Sequence, residues 1–312
     1  MRFDKHSWWP NNLLWCFILG LFVLIYILAV PWVFREFSSL LKQTDGTADL
    51  KIILTVVAAL IAAPFVAWQA RIASDRAETA KEEHITNRIN KAVEQLSAKE
   101  HIESRIGGLY ALERIAQDSE RDHITIMEII CTFIRENAKV KKIRIMSHSP
   151  QIIRQTAISI LGRRKEKRIK YEKREKFQLH LNGINLEKID LEKSNLVNAW
   201  LQDTKFNHSY LGGINLDGTW LARANFNGAI FDKESTLNNA ALYRTDFRHA
   251  KKLTLEMLSK AIGVKKGMGQ TLLPDYIMDY PDTWIVTEGN ESESMITFEE
   301  HWREKTDDTT PI

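Results

Sequence analysis

The most concentrated chemistry in this 312-residue chain is a run of basic side chains near its middle. Residues 139–176 hold fourteen Lys and Arg against three Glu, whereas the whole chain has a formal net charge of only +3. Six of these cations form the candidate set for binding phosphate or lipid headgroups: Arg163, Arg164, Lys165, Lys167, Arg168 and Lys170. Such a cluster can neutralise the charge of an anionic ligand.

Three interpretations of this basic set stay open. It can bind the anionic headgroups of a bilayer, at about 1 kcal/mol per residue near the surface. It can bind the phosphates of a nucleotide or oligonucleotide, with an affinity that falls as salt rises. Or it is a solvated helix face, because Glu166, Glu172 and Glu175 stand at helical pairing distances among the cations.

Catalytic and metal-binding chemistry is not indicated by the sequence. It has no phosphate-binding glycine loop, nucleophile elbow or metal-ligand spacing. Cys16 and Cys131 are too few for a disulfide framework or the usual Cys/His zinc site. His123 beside Asp122 is an ordinary cap or surface pair. We therefore predict that the protein is not an enzyme and uses no cofactor.

The elements that must carry the basic set include a five-residue repeat. From Leu181 to Phe231 a Leu or Phe returns at every fifth position, and after a one-residue slip the spacing resumes at Leu237, Leu242 and Phe247. Neither a helix nor a flat strand has this period. The pattern predicts a solenoid in which each central side chain faces inward. The residue two positions earlier should also face inward, and it is small in most repeats.

This repeat resembles the pentapeptide-repeat family, whose unit is roughly A-(D/N)-L-x-x. The best matches are Ser194-Asn195-Leu196, Ala224-Asn225-Phe226 and Thr245-Asp246-Phe247. The resemblance implies a right-handed quadrilateral β-helix with four pentapeptides per coil. A stack of coils needs a cap at each end, and residues 255–262 are predicted to form a capping helix. Trp284 and its neighbours are expected to fold back on the stack, whereas the acidic end from Glu288 is expected to be loose.

Two apolar segments precede the repeat. Residues 13–34 hold no charge over twenty-two positions and residues 52–68 hold none over seventeen, against the roughly 20 residues that span a bilayer core. Trp8, Trp9, Trp32 and Trp68 lie near the ends, as interfacial aromatic residues do. The sequence thus predicts two transmembrane helices in a bacterial inner membrane, with both termini cytoplasmic and the lipid bilayer as a partner.

One side of the second predicted span carries small or weakly polar residues, which let helices approach closely in lipid. These are Thr55, Ala59, Ala62, Val66 and Gln69. We expect copies of the chain to associate into a homo-oligomer along this side, which would then line a narrow pore that gates by dewetting. The alternative is a plain two-helix anchor, in which the first span packs on the same side.

Residues 101–137 are predicted to form two helices, the first containing Gly107 and Gly108. Glycine within a helix costs roughly 1 kcal/mol relative to alanine, so the pair indicates a close approach to another helix. The segment 105–116 (RIGGLYALERIA), continued by residues 157–164, resembles a juxtamembrane segment of bacterial two-span pentapeptide-repeat proteins. That resemblance implies a membrane effector of anti-phage defence, of the Hailong type or similar.

The predicted fold class is mixed, with five parts. They are a transmembrane hairpin (1–70), a cytosolic helical domain (71–164), a basic linker (165–180), a pentapeptide-repeat β-helix (181–250), and a capping helix with a C-terminal tail (251–312). The favoured function is an oligomeric pore in anti-phage defence, gated by a nucleotide or oligonucleotide that the cytosolic part senses. The alternative is a membrane-tethered scaffold that binds a protein partner and forms no channel.

Overall fold

The structure is a computed structural model that describes residues 47–98, 101–138 and 149–306, together with Arg35. The chain divides between Ala80 and Lys81 into two compact units. In chain order the elements are α1 (Thr47–Ser97), α2 (Ile102–Asp118), α3 (Glu120–Ala138), α4 (Ser149–Gly162), α5 (Glu166–Arg174), β1 (Ala241–Leu242), α6 (Leu255–Ser259), β2 (Ile262–Lys266), β3 (Ile285–Val286) and α7 (Glu291–Thr306).

The membrane prediction requires a correction. The second predicted span lies within α1, and the first, residues 13–34, lies outside the described residues. Over the parts of the chain that the structure describes, no helix has a stretch long and apolar enough to cross a bilayer. The predictions of two transmembrane helices and of an inner-membrane location are therefore wrong on this finding. The physical reason is that an uncharged run of seventeen residues stands at the lower limit for a span.

A helical bundle precedes the repeats in the second unit. The end of α1 contributes Ala92 and Leu96 to a core that it shares with α2, α3 and α4. A Cβ on Gly108 would lie 2.7 Å from the carbonyl oxygen of Ala92, so glycine is what lets α2 approach α1. The predicted close approach is confirmed at Gly108. At Gly107 an added Cβ would meet nothing within 4 Å, so the same explanation fails there.

Residues 180–251 form a stack of coils, called here the coil stack. Residues twenty positions apart pair in parallel bridges, beginning with His180 and Trp200, so one circuit takes four pentapeptides. After the slip in the sequence the spacing becomes twenty-one, as between Trp220 and Ala241. Backbone hydrogen bonds join successive coils, such as the 2.8 Å bond from the amide of Leu181 to the carbonyl of Trp200.

The prediction of a quadrilateral β-helix requires a correction, because the coil stack contains less regular strand than that fold implies. Among the described residues the strands are β1, β2 and β3, which pair in parallel in that order at one end of the coil stack. Elsewhere in the stack, single bridged residues alternate with turns. The reason is that the repeat is too short for longer strands. Each side of a coil has five residues and includes a turn, so about one residue per side stays extended for pairing.

The interior of the coil stack confirms the predicted orientation of the central side chains. Every central Leu and Phe from Leu181 to Phe247 is buried. Phe226 stacks between Phe206 and Phe247, with ring centroids 4.6 and 4.8 Å apart. The small residues two positions earlier are buried as well. Several of their hydroxyl groups bond to a neighbouring coil, as Thr204 Oγ1 does to the carbonyl of Leu181 and Ser209 Oγ to that of Leu186.

Local hydrogen bonds explain the role of Asn or Asp where one of them precedes a centre. The Oδ1 of Asn195 accepts a bond from the amide of Val197 at 3.1 Å, and Asn215 and Asn225 repeat the pattern. Such bonds stabilise tight turns. The residue two positions after the centre lies in the left-handed region, with φ 56° at Asn198.

Each end of the coil stack is covered. At the first coil, Gln155 of α4 bonds both the amide and the carbonyl of Asp190, at 2.9 and 2.6 Å. These groups would otherwise be an unpaired edge. At the last coil, the predicted capping helix is α6, which ends at Ser259 rather than at residue 262, and β2 and β3 then extend the sheet that begins with β1. Trp284 is buried there, and its indole N–H donates to the carbonyl of Leu258. This agrees with the prediction that Trp284 folds back on the stack.

The expectation of a loose acidic end is wrong for most of that segment. Residues 291–306 form α7, whose Phe298 and Trp302 are buried. Both rings contact Trp220, with centroids 5.9 and 5.1 Å away. The apolar residues of α7 therefore cover an aromatic side of the coil stack, which outweighs the acidic composition of the segment.

Candidate functional site

The three arginines of the predicted ligand set are engaged with other parts of the protein. Arg163 follows α4 and holds Glu113 of α2 through two hydrogen bonds, Nε to Oε1 and Nη2 to Oε2, both 2.6 Å. Its guanidinium also lies 5.6 Å from the ring centre of Tyr110. The hydrogen bonds with Glu113 raise the pKa of Arg163. This arginine therefore joins the end of α4 to α2.

Arg164 belongs to a buried polar cluster. Its Nε lies 3.0 Å from Oε1 of Glu172 on α5, and its Nη1 donates to the carbonyl of Leu161. The same Glu172 oxygen is 2.7 Å from Nε2 of His123 on α3. Burial lowers the pKa of the Arg164 guanidinium, and Glu172 opposes that shift. The prediction that His123 is an ordinary cap or surface residue is therefore wrong, because no sequence spacing indicates that Glu172, forty-nine positions away, meets it.

Arg168 is also buried and ties α5 to the turn between α2 and α3. Its Nη2 donates to the carbonyl of Gln117 at 2.9 Å, and its Nη1 to Oε2 of Glu120 at 3.2 Å. A ligand could bind Arg163, Arg164 or Arg168 only by displacing these partners. In each of the three arginines the guanidinium group is already bonded to partners inside the protein, so the structure does not support their predicted phosphate-binding role.

The three lysines of the predicted set point to solvent. Lys165, Lys167 and Lys170 are all exposed. Lys170 pairs with Glu166 one helical turn earlier at 2.7 Å, and Lys167 lies 3.8 Å from Glu120. The structure thus separates the six residues into arginines that hold the fold and lysines that are free to meet a ligand.

The cavity between the arginines is too small for a phosphate group. Its volume is about 20 Å³, and its lining includes His123, Arg163, Arg164 and Arg168. Such a space holds about one water molecule. His123 Nδ1 and Arg164 Nη2, both buried, have no hydrogen-bond partner among the described residues.

A larger opening lies beside the lysines. It has a volume of about 470 Å³ and is bounded by α5, by one corner of the coil stack and by the end of α7; we call it the α5–α7 cleft. The residues that define it are Lys170, Lys173, Lys176, Phe177, Val197, Asn198, Asp217, Asn238 and Trp302. Val197, Asp217 and Asn238 are twenty or twenty-one positions apart, so the repeat spacing could have placed them in one column. The contribution of α7 could not have been found in this way.

Hydrogen bonds fix the walls of this cleft. Asp217 is held by Asn238, whose amide and Nδ2 donate to its two oxygens at 2.8 and 3.0 Å. On the α7 side, Trp302 Nε1 donates to the carbonyl of Asn239 at 2.9 Å. On the α5 side, the amide of Phe177 donates to the carbonyl of Glu172. The cleft is therefore bounded by elements that are each bonded in place.

The five predicted pore residues all lie on α1. The side chains of Thr55 and Ala59 fall outside the described residues, while Ala62, Val66 and Gln69 are exposed. Their role as a pore wall, and the homo-oligomer that it needs, stay predictions.

Other reactive groups of the second unit are not assembled into a site. Within the described ranges, no three His, Cys, Asp or Glu residues are grouped so that they could hold a metal ion. Cys131 is a free, buried cysteine, and burial raises the pKa of its thiol to about 12. A thiol in that state is a poor nucleophile.

Comparisons with known proteins match the repeat region. The family described as Pentapeptide repeats matches with eight copies, over residues 201–233 and 209–248. No curated protein sequence matches the chain.

Three solved structures are similar to this chain, all of them pentapeptide repeat proteins. One, from the thylakoid lumen of Arabidopsis thaliana, is 21% identical over 24% of this chain and 51% of its own, with a TM-score of 0.23. One from the cyanobacterium Cyanothece 51142 is 21% identical over 36% and 61%, with a TM-score of 0.23. HetL from Nostoc sp. strain PCC 7120, involved in regulating heterocyst differentiation, is 24% identical over 37% and 55%, with a TM-score of 0.21. The chain thus spans about half to three-fifths of the length of these proteins.

Proposed function

We propose that this chain, whose residues 201–248 are pentapeptide repeats, is a non-catalytic scaffold that binds a protein partner in the α5–α7 cleft. The observation that carries the proposal is the cleft itself, an opening of about 470 Å³ between α5, which is bonded to the helical bundle, and α7, which is bonded to the coil stack. Sites of roughly 300–1,000 Å³ are large enough to enclose most of a small ligand, or one short segment of a partner.

The coil stack supports this role because it provides a stiff frame. Its interior is filled by a column of buried Leu and Phe side chains, and successive coils are joined by backbone hydrogen bonds. Each unit of such a stack contacts its neighbours. A cleft built on this frame is preorganised, which reduces the ordering cost that a partner must overcome on binding.

The covered ends of the coil stack also favour binding at its side. Gln155 of α4 bonds the backbone of Asp190 in the first coil, and α6, β2 and β3 cover the last one. A partner that added a strand at either end would have to displace these elements. At the α5–α7 cleft a partner meets exposed side chains and displaces no backbone hydrogen bond of the stack.

Site-specific photocrosslinking in the native cells tests the proposal. A photoreactive amino acid at Val197, in the cleft, should give one discrete protein adduct. The same amino acid at Tyr210, which is 40% exposed on another side of the coil stack, should not give that adduct. Identical adducts at both positions, or none at Val197, would contradict a partner site in this cleft.

The other functions that the sequence predicts are not part of this proposal. The oligomeric pore that the sequence predicts is not tested by these observations. The anti-phage role and the nucleotide or oligonucleotide signal stay predictions.

A further inference from the structure

We infer that the partner segment held in the α5–α7 cleft is acidic, and that its carboxylates pair with Lys170, Lys173 and Lys176. The inference rests on the proposed function and specifies the chemistry of the partner at the same site.

The lysines form one wall of the cleft. Lys170 and Lys173 are three positions apart on α5, which places them on neighbouring points of one helix face. Lys176 follows the helix with φ 54°, and it lines the same opening. All three side chains are exposed. They therefore present three positive charges along one edge of the cleft.

These charges are available at little cost. Within the described part of the chain, no carboxylate pairs with Lys173 or Lys176, and Lys170 pairs with Glu166. The side chains of that pair are 75% and 80% exposed, and ion pairs so exposed contribute little to stability. A carboxylate of the partner can replace Glu166 without leaving a buried charge behind.

The opposite wall does not compete for the lysines. Asp217 is the acidic residue that lines the cleft, and both of its oxygens accept hydrogen bonds from Asn238. Phe177 and Val197 add apolar surface to the cleft. The cleft therefore suits a segment in which Asp or Glu alternates with an aliphatic residue.

The same geometry favours carboxylates over a nucleic acid. Phosphate recognition most often uses the two-pronged guanidinium group, but Arg163, Arg164 and Arg168 are committed to partners inside the protein. Trp302 is only 3% exposed and donates its indole N–H to Asn239. Its ring is thus not available for the stacking on which single-stranded nucleic acids depend.

Fluorescence anisotropy on the full chain tests the inference with defined probes. A labelled peptide of alternating Glu and Leu should bind, whereas the matched Gln and Leu peptide should not. Raising the salt from about 50 to 300 mM should weaken the binding, because exposed charges are screened. The triple substitution Lys170→Gln, Lys173→Gln and Lys176→Gln should lower the affinity about tenfold or more, the effect expected from roughly 0.5 kcal/mol per lost pair.

A matched control removes three exposed lysines that do not line the cleft, Lys188→Gln, Lys193→Gln and Lys252→Gln. This variant should bind the Glu peptide as the unchanged chain does, and both variants should keep the same melting temperature. Equal losses in the two variants, equal binding of the Gln peptide, or preferential binding of a single-stranded oligonucleotide would each overturn the inference. If no peptide binds while the adduct at Val197 persists, the acidic chemistry is wrong and the scaffold function stands.

Discussion

The arginines and the lysines of the basic run come from one stretch of sequence but have opposite structural roles. Both Arg164 and Arg168 are buried. Arg164 joins the end of α4 to α5, and Arg168 holds α5 against α2 and α3. Lys167 and Lys170 are exposed on the same short helix. The difference follows from their chemistry, because a guanidinium offers several donors in a fixed plane, whereas an ammonium is strongly hydrated.

This contrast shows why net charge alone is a poor guide to a binding surface. The run has a large positive excess in sequence, yet its most basic groups are satisfied by Glu113, Glu120 and Glu172. Among the described residues, the charge that remains for a partner belongs to the lysines, of which Lys170, Lys173 and Lys176 line the α5–α7 cleft. Matched substitutions of the arginines and the lysines test whether the arginines hold the fold while the lysines are free for a partner.

The largest effect is expected at the buried cluster. The change Arg164→Met removes the cation beside Glu172 and leaves its carboxylate buried without that partner, which should destabilise the fold by about 3–5 kcal/mol. Lys167→Met, at an exposed position, should change stability by less than about 0.5 kcal/mol. Urea denaturation of the two variants, monitored by circular dichroism, measures both values. Similar losses would mean that the arginine and the lysine do not differ in role.

The sequence predicted the interior of the coil stack better than its surroundings. The period of five placed Leu181, Phe206 and Phe247 in the core, because each repeat is a local unit whose side-chain orientation follows from spacing. The membrane prediction failed because a hydropathy pattern cannot separate a seventeen-residue apolar helix segment from a true span near the length limit.

The candidate site was only half predictable for a related reason. The basic run predicted Lys170 as a candidate ligand residue, and Lys170 lines the cleft, but the run gave no means of telling which cations would find a carboxylate in the folded chain. Glu113 meets Arg163 across fifty positions of sequence, and Trp302 reaches Asn239 across sixty-three. Such contacts depend on how helices dock, which local periodicity does not encode.

The second-largest effect concerns the access of solvent to the interior. In a Cys16→Ser background, Cys131 reports on opening of the bundle, because burial raises the pKa of its thiol to about 12. If Arg164→Met weakens the bundle as expected, alkylation of Cys131 should be about a hundredfold faster or more, since labelling follows the population of open states. Lys167→Met should leave the rate unchanged. The rate is measured by mass spectrometry after timed exposure to iodoacetamide.

A smaller effect separates charge from geometry. Arg168→Lys keeps the charge but loses the fork that reaches both Gln117 and Glu120, and it should cost about 1–3 kcal/mol through a buried group left without its bond. The reverse exchange Lys170→Arg keeps an exposed pair with Glu166 and should be close to neutral. Thermal unfolding of the two variants gives the comparison. Equal stability would show that position 168 needs only a positive charge.

The smallest effect is a shift in one titration on the exposed side of α5. The hydrogen bond from Lys170 lowers the pKa of Glu166, so Lys170→Met should return that pKa toward its ordinary value, whereas Lys167→Met should leave it in place. A carboxylate whose pKa is lowered by folding stabilises the fold above its unfolded pKa, and this contribution is lost as the pH falls through the folded value. Because Glu166 is fully in solvent, the change should be visible in the carboxyl chemical shift of Glu166 by NMR while the urea midpoint at neutral pH stays the same. A lower midpoint in Lys170→Met would place this lysine with the arginines, as a residue that holds the fold, and would remove it from the surface offered to an acidic partner.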